Sequence, residues 1–457
     1  MTTPVALPQG PLIAFYGDDF TGSSAAMEVT AFAGLPTVLF LDVPTPEQRA
    51  RFADHRVIGV AGVARSKGPE WMDRNLPRVF EFLRAIDAPI AHYKVCSTFD
   101  SAPHVGSIGR AIDIGKAILG GRWHPLVVSD PGMGRYQAFG NLFAASNGVG
   151  YRLDEHPTMS RHPVTPMDDA NLTRHLSKQT PRKMGLVDFV AIKQGKADST
   201  LAAELARGAE IVSLDVLDRE TLIEAGRLIW ENRGDHLFGI GSQGFEAALV
   251  AYWQSAGLVP VVAQAPRARP VSRTVCVSGS VSPITAAQIA FAADHGYARI
   301  PLDATRALDA SDWKSELGRA GDLALAALGE GRDPLVYTAS GPDDPAVRAL
   351  RSAIDAASVS AEIVNERIGI GLGSILNRVL REARLTRVIV SGGDTSSHAV
   401  STLGIYALTA MAPMAPGSPL CKAHTTERLP GDLEIALKGG QVGGPDFFCR
   451  VKRGGTD

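Results

Sequence analysis

Hydrophobic positions in this chain come as short apolar runs, each broken by a small polar or glycine-rich segment and followed by a helical stretch. Leu12-Ile13-Ala14-Phe15-Tyr16 reads as a buried strand that stops at Gly17-Asp18-Asp19. Thr21-Gly22-Ser23-Ser24 then leads into a helical stretch over residues 25–33, with Ser or Thr available as N-cap. Gly34 ends it, and 37–41 is a second strand. A βαβ opening of this kind predicts an α/β fold with a mainly parallel sheet. Residues 57–60, 89–94 and 126–128 predict further strands, as do 189–192, 211–214 and 237–240, with helices over 219–231 and 246–253. Residues 148–169 carry Pro157, Pro163 and Pro166 and read as a loop excursion over the surface.

Apolar periodicity lapses over 260–270, where prolines and arginines suggest a linker. A new strand at 274–277 opens a second α/β unit, with a helix over 284–295, strands at 334–337 and 387–390, and a close near Phe448. The expectation is two domains, 1–268 and 269–457, each a mainly parallel sheet flanked by helices, with the active site in the cleft between them. The 457 residues suit that count. No low-complexity tract or clear internal repeat interrupts the pattern.

Composition narrows the function. Lys plus Arg is 46 and Asp plus Glu is 48, a net charge of −2. That balance argues against a surface built for a nucleic-acid backbone or an anionic membrane. With 45% hydrophobic and 21% charged residues the chain reads as globular rather than disordered. Cys96, Cys276, Cys421 and Cys449 form no C-x-x-C pair, which excludes a zinc ribbon or thioredoxin-like dithiol. The N-terminus lacks a signal-peptide pattern and no run of eighteen apolar residues occurs, so a soluble cytoplasmic protein is expected.

In an open parallel sheet ligands gather at the carboxyl ends of the strands. In the first half those ends carry Gly17-Asp18-Asp19, Cys96-Ser97-Thr98-Phe99-Asp100, Ser129-Asp130-Pro131-Gly132 and Gly241-Ser242-Gln243-Gly244. In the second half they carry Ser278-Gly279-Ser280-Val281-Ser282 and Ser391-Gly392-Gly393-Asp394-Thr395. Asp18 and Asp19 can ligate Mg²⁺, accept a hydroxyl proton or bind sugar hydroxyls; the plainer reading is a turn with an Asp capping the next helix. The two serine- and glycine-rich segments expose backbone N–H groups at helix starts, as an anion cradle does, with donors at Ser280, Ser282 and Thr395. Asp394 among them could reach a metal or a ribose. Neither segment is a Walker A loop or a clean G-x-G-x-x-G fingerprint. A third cluster, Lys438-Gly439-Gly440-Gln441-Val442-Gly443-Gly444, lets a nucleotide approach the main chain closely. Arg135, after Asp130-Pro131-Gly132, can pair with a substrate carboxylate or be a plain surface arginine. His92, His104, His156 and His162 show no metal spacing and read mostly as surface or loop residues, and no metal-binding set emerges.

These segments together resemble the four-carbon acid sugar kinase family. Gly17-Asp18-Asp19-Phe20-Thr21-Gly22-Ser23 is similar to its Ala-Asp-Asp-Leu-Thr-Gly-Ala start, and Gly241-Ser242-Gln243-Gly244-Phe245 to its Gly-Ser-Ala-Gly-Leu. Ser278-Gly279-Ser280-Val281-Ser282-Pro283-Ile284-Thr285 with Gln288 matches its Ser-Gly-Ser-x-Ser-x-x-Thr-x-x-Gln, and Ser391-Gly392-Gly393-Asp394-Thr395 its Gly-Gly-Asp/Glu-Thr. Pro416-Gly417-Ser418-Pro419 and Lys438-Gly439-Gly440 match its closing Pro-Gly-Val-Pro and Lys-Ser-Gly. The motifs run in order across nearly the whole chain.

The resemblance implies ATP-dependent phosphorylation of a small sugar acid such as a tetronate, 3-oxo-tetronate or 3-oxo-isoapionate, with Mg²⁺. It implies a sugar-acid-binding N-terminal domain and a nucleotide-binding C-terminal one. ATP would meet Ser280 or Ser282, Gly392, Gly393, Asp394, Thr395, Gly439 and Gly440. The acid would sit near Asp18, Asp19, Ser97 and Thr98, with Asp18 or Asp19 as base; Asp100 and Arg135 are further candidate contacts read from this chain's own residues rather than from the family. One departure matters. Where the family reads Asp-Ser-Thr-x-Arg-Gly-Asn, this chain has Cys96-Ser97-Thr98-Phe99-Asp100-Ser101-Ala102. Asp100 replaces an arginine fork, which points toward a differently shaped or branched acid. The rival readings are a non-catalytic nucleotide or sugar-acid sensor and a nucleotide-dependent dehydrogenase. A homo-oligomer is compatible with everything above.

Overall fold

The structure, a computed structural model, describes residues 6–146, 148–426, 429 and 431–455, without the side chains of Asp394 and Ser397. It divides into two compact units, Met1–Ala263 and Gln264–Asp457, the division falling inside the proline-bearing 260–270 segment.

The first unit contains β1 (Ile13–Gly17), β2 (Thr37–Phe40), β3 (Val57–Ala61), β4 (Ile90–Lys94), β5 (His124–Val127), β6 (Arg135–Ala138), β7 (Asn141–Ser146), β8 (Val149–Arg152), β9 (Met184–Val187), β10 (Ile211–Leu214) and β11 (Leu237–Gly241). Eight of them pair in parallel in the order β2-β3-β1-β4-β11-β5-β10-β9. Helices cover both faces, so β1 to β5 are buried along their whole length and are mostly apolar, with His92 and Lys94 of β4 and His124 of β5 as buried exceptions. Strands β6, β7 and β8 form a separate small antiparallel sheet.

Three sequence expectations need correction here. The first helix spans Phe20–Phe32, and its cap is Asp19 rather than a Ser or Thr. The hydroxyls lie inside the helix, where Ser23 Oγ donates to the Asp19 carbonyl at 2.6 Å and Ser24 Oγ to that of Phe20 at 3.3 Å. The run at 189–192 is a helix, Phe189–Lys193, because the Asp188 carboxylate accepts from the Ala191 N–H at 2.8 Å. A four-residue apolar run has no period that separates strand from helix, so the cap decides. Finally, 148–169 lies largely at the surface, as expected, but is more than a loop. It holds β8 and two 3₁₀ turns, Leu153–Glu155 and Met159–Arg161, and buries Leu153 and Met159.

The second unit contains β12 (Val275–Ser278), β13 (Tyr297–Pro301), β14 (Asp333–Tyr337), β15 (Arg387–Ser391), β16 (Ile405–Ala415), β17 (Ser418–Thr425) and β18 (Glu434–Lys438). Their order is β13-β14-β12-β15-β18-β17-β16. The first five run parallel, and β16 and β17 add an antiparallel hairpin. Apolar pattern alone did not predict β13, β16, β17 or β18.

The registers set up both half-sites. In the first unit, Ala61, Gly17, Lys94, Gly241 and Val127 form one row across β3-β1-β4-β11-β5 at the carboxyl edge. In the second, Tyr337, Ser278, Ser391 and Lys438 form the equivalent row across β14-β12-β15-β18. Each loop named from sequence starts within a few residues of one of these rows. Among the described residues no helix is long and apolar enough to cross a membrane.

Candidate active site

Asp18 and Asp19 follow β1, and the chain after β3 brings Arg65 to both. Arg65 Nη2 lies 2.7 Å from Asp18 Oδ1 and 2.6 Å from Asp19 Oδ1, and Nε lies 3.4 Å from Asp18 Oδ2. The two aspartates are not equivalent. Asp18 is 1% exposed and Asp19 is 26% exposed. Burial pushes the Asp18 carboxyl up from its ordinary value, against the opposing pull of Arg65. Asp19 Oδ1 also accepts the Gly22 N–H at 3.0 Å. Both described bonds to Asp19 land on Oδ1, so Oδ2 has no protein donor among the described residues.

Lys94 closes β4 between Gly17 and Gly241 of the neighbouring strands, and is 2% exposed. A Cβ on Gly22 would stand 2.1 Å from Lys94 Nζ and 2.3 Å from Asp19 Oδ1, so glycine is required for both side chains to occupy that space. The loop that follows runs Cys96, Ser97, Thr98, Asp100. Thr98 Oγ1 donates to Asp100 Oδ1 at 2.6 Å and lies 2.9 Å from Cys96 Sγ. Burial pushes the Cys96 thiol up, and the charges of Asp100, Arg65, Lys94 and Asp19 all reach it. One cluster therefore collects Asp18, Asp19, Arg65, Lys94, Cys96 and Asp100, with Ser97 half-buried at its side.

Arg135 is not among them. Its Nη1 donates to the carbonyls of Met133, Gly134 and Ala145, within its own hairpin. The adjacent Asp130 is held by the Gly132 N–H and Gln243 Nε2. Nor is His92 a surface residue. It is fully buried, with Nδ1 2.6 Å from Glu246 Oε1, Nε2 3.2 Å from the Gly241 carbonyl, and its ring stacked on Phe245. His156 is buried as well.

In the second unit three loops meet because β12, β15 and β18 are neighbours. Ser282 caps the helix Pro283–Ala293 by accepting the Thr285 N–H at 3.0 Å, and its hydroxyl donates to the Gly440 carbonyl. Thr285 Oγ1 lies 3.1 Å from Ser280 Oγ and 3.1 Å from the Gly440 carbonyl. Gln288 Nε2 holds the carbonyls of Val442, Gly443 and Gly444 at 3.0, 3.1 and 3.0 Å. Gly392 has φ 120° and starts the helix Gly393–Thr402; Thr395 sits in that helix's first turn, against Gly279. A Cβ at Gly440 would come within 2.7 Å of Ser280 Oγ. Beneath this cradle lies Lys438, donating to Thr285 Oγ1 at 3.1 Å and Ser391 Oγ at 3.0 Å. The structure thus brings together Ser280, Ser282, Gly392, Gly393, Thr395, Gly439 and Gly440 around one turn-lined surface. The side chain of Asp394 lies outside the described residues.

Arg65, Lys94, Thr285 and Lys438 were not singled out as site residues from sequence. A signal existed for the lysines: each is a charge at the last position of a short strand, just before a loop of small residues.

Two family models match the chain, a sugar-binding N-terminal domain over residues 13–249 and a nucleotide-binding C-terminal domain over 275–448. A 3-oxo-isoapionate kinase from Paraburkholderia graminis is 49% identical, across 99% of this chain and 96% of that one. The chain belongs to the four-carbon acid sugar kinase family. A 3-oxo-tetronate kinase from Methylobacterium radiotolerans, another relative, is 32% identical across 95% of this chain and 97% of its own. Among solved structures, a DUF1537 protein from Haemophilus influenzae aligns with a TM-score of 0.73 at 25% identity, covering 97% of this chain and 100% of its own. A protein from Salmonella typhimurium LT2 shares the fold with a TM-score of 0.77, at 24% identity over 96% and 98% of the two chains. As a member of the four-carbon acid sugar kinase family the chain is a phosphotransferase that uses ATP and a hydroxyl acceptor.

Proposed function

We propose that the chain moves the γ-phosphoryl group of ATP to a hydroxyl of 3-oxo-isoapionate or a closely related branched or four-carbon 3-oxo acid. The observation that carries the choice of acid is the 49% identity, end to end, with a kinase named for that compound. The first unit takes the acid and the second the nucleotide, a division that the two matched domain descriptions support.

Asp19 is the better base of the two aspartates. Its Oδ2 has no protein donor among the described residues, whereas Asp18 is buried against Arg65. Oδ2 takes the hydroxyl proton as the substrate oxygen bonds to the γ-phosphorus; the bond from that phosphorus to the β,γ-bridging oxygen breaks and ADP leaves. In a loose phosphoryl-transfer transition state the chief demand is orientation, and a carboxylate pinned at Oδ1 by Gly22 and Arg65 supplies it. Arg65 Nη1 and Lys94 Nζ have no described acceptor and are the donors available to the acid's carboxylate. They offset Asp100, which through Thr98 is free to read a hydroxyl.

The Ser280, Gly392 and Gly440 loops suit a polyphosphate, since backbone and small hydroxyls line a surface that a Cβ would fill. Mg²⁺ would ride on the phosphates and neutralise their charge. Few protein ligands are then needed, which fits a site where no group of three or more metal-binding side chains occurs among the described residues. Reliance on ATP argues for a cytoplasmic location.

The test is ADP release by the purified chain over 3-oxo-isoapionate, 3-oxo-tetronates and tetronates, alongside Asp19→Asn. The reading expects turnover with at least one 3-oxo acid and a loss of about 10²–10⁴ in kcat for the variant. Turnover unchanged in Asp19→Asn would refute the base. No ADP with any of the acids would refute the substrate class.

A further inference from the structure

Lys438 is 1% exposed, yet no carboxylate among the described side chains pairs with it. Its ammonium donates only to the Thr285 and Ser391 hydroxyls and lies 5.9 Å from the Phe447 ring centroid. A buried charge without a counter-ion is costly, and proteins keep one where a ligand supplies the opposite charge. Here the surroundings say which ligand. Lys438 shares its register row with Ser391 and Ser278, directly below the starts of the helices Pro283–Ala293 and Gly393–Thr402.

The hydroxyl geometry adds direction. A hydroxyl has one proton to give, and an ammonium donating to it turns that proton away. Thr285 accepts from Lys438 and in turn lies within donating distance of Ser280 Oγ, 3.1 Å away. Ser280 Oγ, which also accepts the Ser282 N–H at 3.3 Å, donates to no acceptor among the described residues and is left to give its proton outward; Ser391, fully buried and 3.4 Å from Thr285 Oγ1, stays part of the layer beneath.

We propose that Lys438 is the charge behind the phosphate cradle: a positioning residue that aims the Ser280 hydroxyl through Thr285 and supplies positive potential to the polyphosphate of the nucleotide. This rests on the reading that the second unit binds nucleotide. Burial of the ammonium lowers its pKa to about 8, so the apo cradle holds its charge weakly and a polyphosphate would reinforce it. The groups facing Lys438 are the Thr285 and Ser391 hydroxyls and the Phe447 ring; no described carboxylate, imidazole or second cation pairs with it.

The experiment compares ADP with uncharged adenosine, by calorimetry on the full chain, for wild type, Lys438→Met and Lys438→Arg. The proposal expects Lys438→Met to weaken ADP at least tenfold while adenosine stays within about twofold, and Lys438→Arg to restore part of the loss. Equal weakening of both ligands, or none, overturns it. Should Lys438→Met not fold, wild type decides: the ADP-to-adenosine affinity ratio should drop as pH rises from 7 to 9.5, and a flat ratio overturns the proposal. If wild type binds neither compound, the nucleotide reading itself fails, a result distinct from binding without discrimination.

Discussion

Asp19 does two things with one carboxylate: Oδ1 caps a helix and accepts Arg65, while Oδ2 faces no protein donor among the described residues. Asn caps about as well as Asp, so Asp19→Asn should change activity and leave the thermal midpoint almost unmoved. Asp18 differs. Burial holds its carboxyl above the ordinary value even beside the half-buried Arg65, so the ionised form is the less favoured one in the fold and removing it costs little. Urea melts of Asp18→Asn at pH 7 should therefore keep or raise the midpoint, and a marked fall would contradict the cost of burying this charge. Neither aspartate could be ranked from sequence, since adjacent acids after a strand look alike until burial separates them.

At the scale of elements, registers and caps do the arranging. Lys94 fits because glycines stand beside it in the row and Gly22 leaves its ammonium room. Gly22→Ala places a methyl where Lys94 Nζ and Asp19 Oδ1 now sit, in a residue already helical and therefore unstrained. Displacement of the Asp19 cap offsets alanine's higher helix propensity, so the thermal midpoint should hold or fall while kcat/KM falls about 10²-fold through misplacement of both groups; steady-state kinetics beside a thermal melt reads the two effects apart. Caps also carry pH dependence. Burial pushes the Asp218 carboxyl up, but the Thr221 N–H and Lys193 outweigh it and hold it at about 2. Its folded value is depressed, so its contribution is present above about pH 4 and is lost as pH falls toward 2. Asp218→Ala should cost about 1 kcal/mol at pH 7 and progressively less below pH 4, read by denaturant titration at each pH. The same cap chemistry explains the helix at Phe189–Lys193: Asp188 caps it, and the short apolar run after it carries no period that a sequence reading could consult.

For the molecule as a whole, the division of labour between units is what hydrogen exchange can read. ADP should slow exchange in the loops 278–282, 391–395 and 438–440 of the second unit. The acid should slow exchange at 18–22, 64–66 and 96–100 of the first. Protection of the same loops by both ligands would contradict the assignment of one ligand to each unit.

Apolar runs ending in Gly-Asp-Asp, Ser-Gly-Ser and Gly-Gly-Asp were enough to predict an α/β chain with ligand loops at strand ends, and the order of those motifs carried the resemblance to the kinase family. The reason is local: strand burial and turn chemistry are written in consecutive residues. Which side chains meet was decided only in three dimensions. Arg65 reaches Asp18 across 47 positions and Lys438 reaches Thr285 across 153, because parallel pairing places their strands and loops side by side. The isolation of Arg135 within its own hairpin, the burial of His92 against Glu246 and the freedom of Asp19 Oδ2 follow likewise from packing between distant segments, which no short window of the chain encodes.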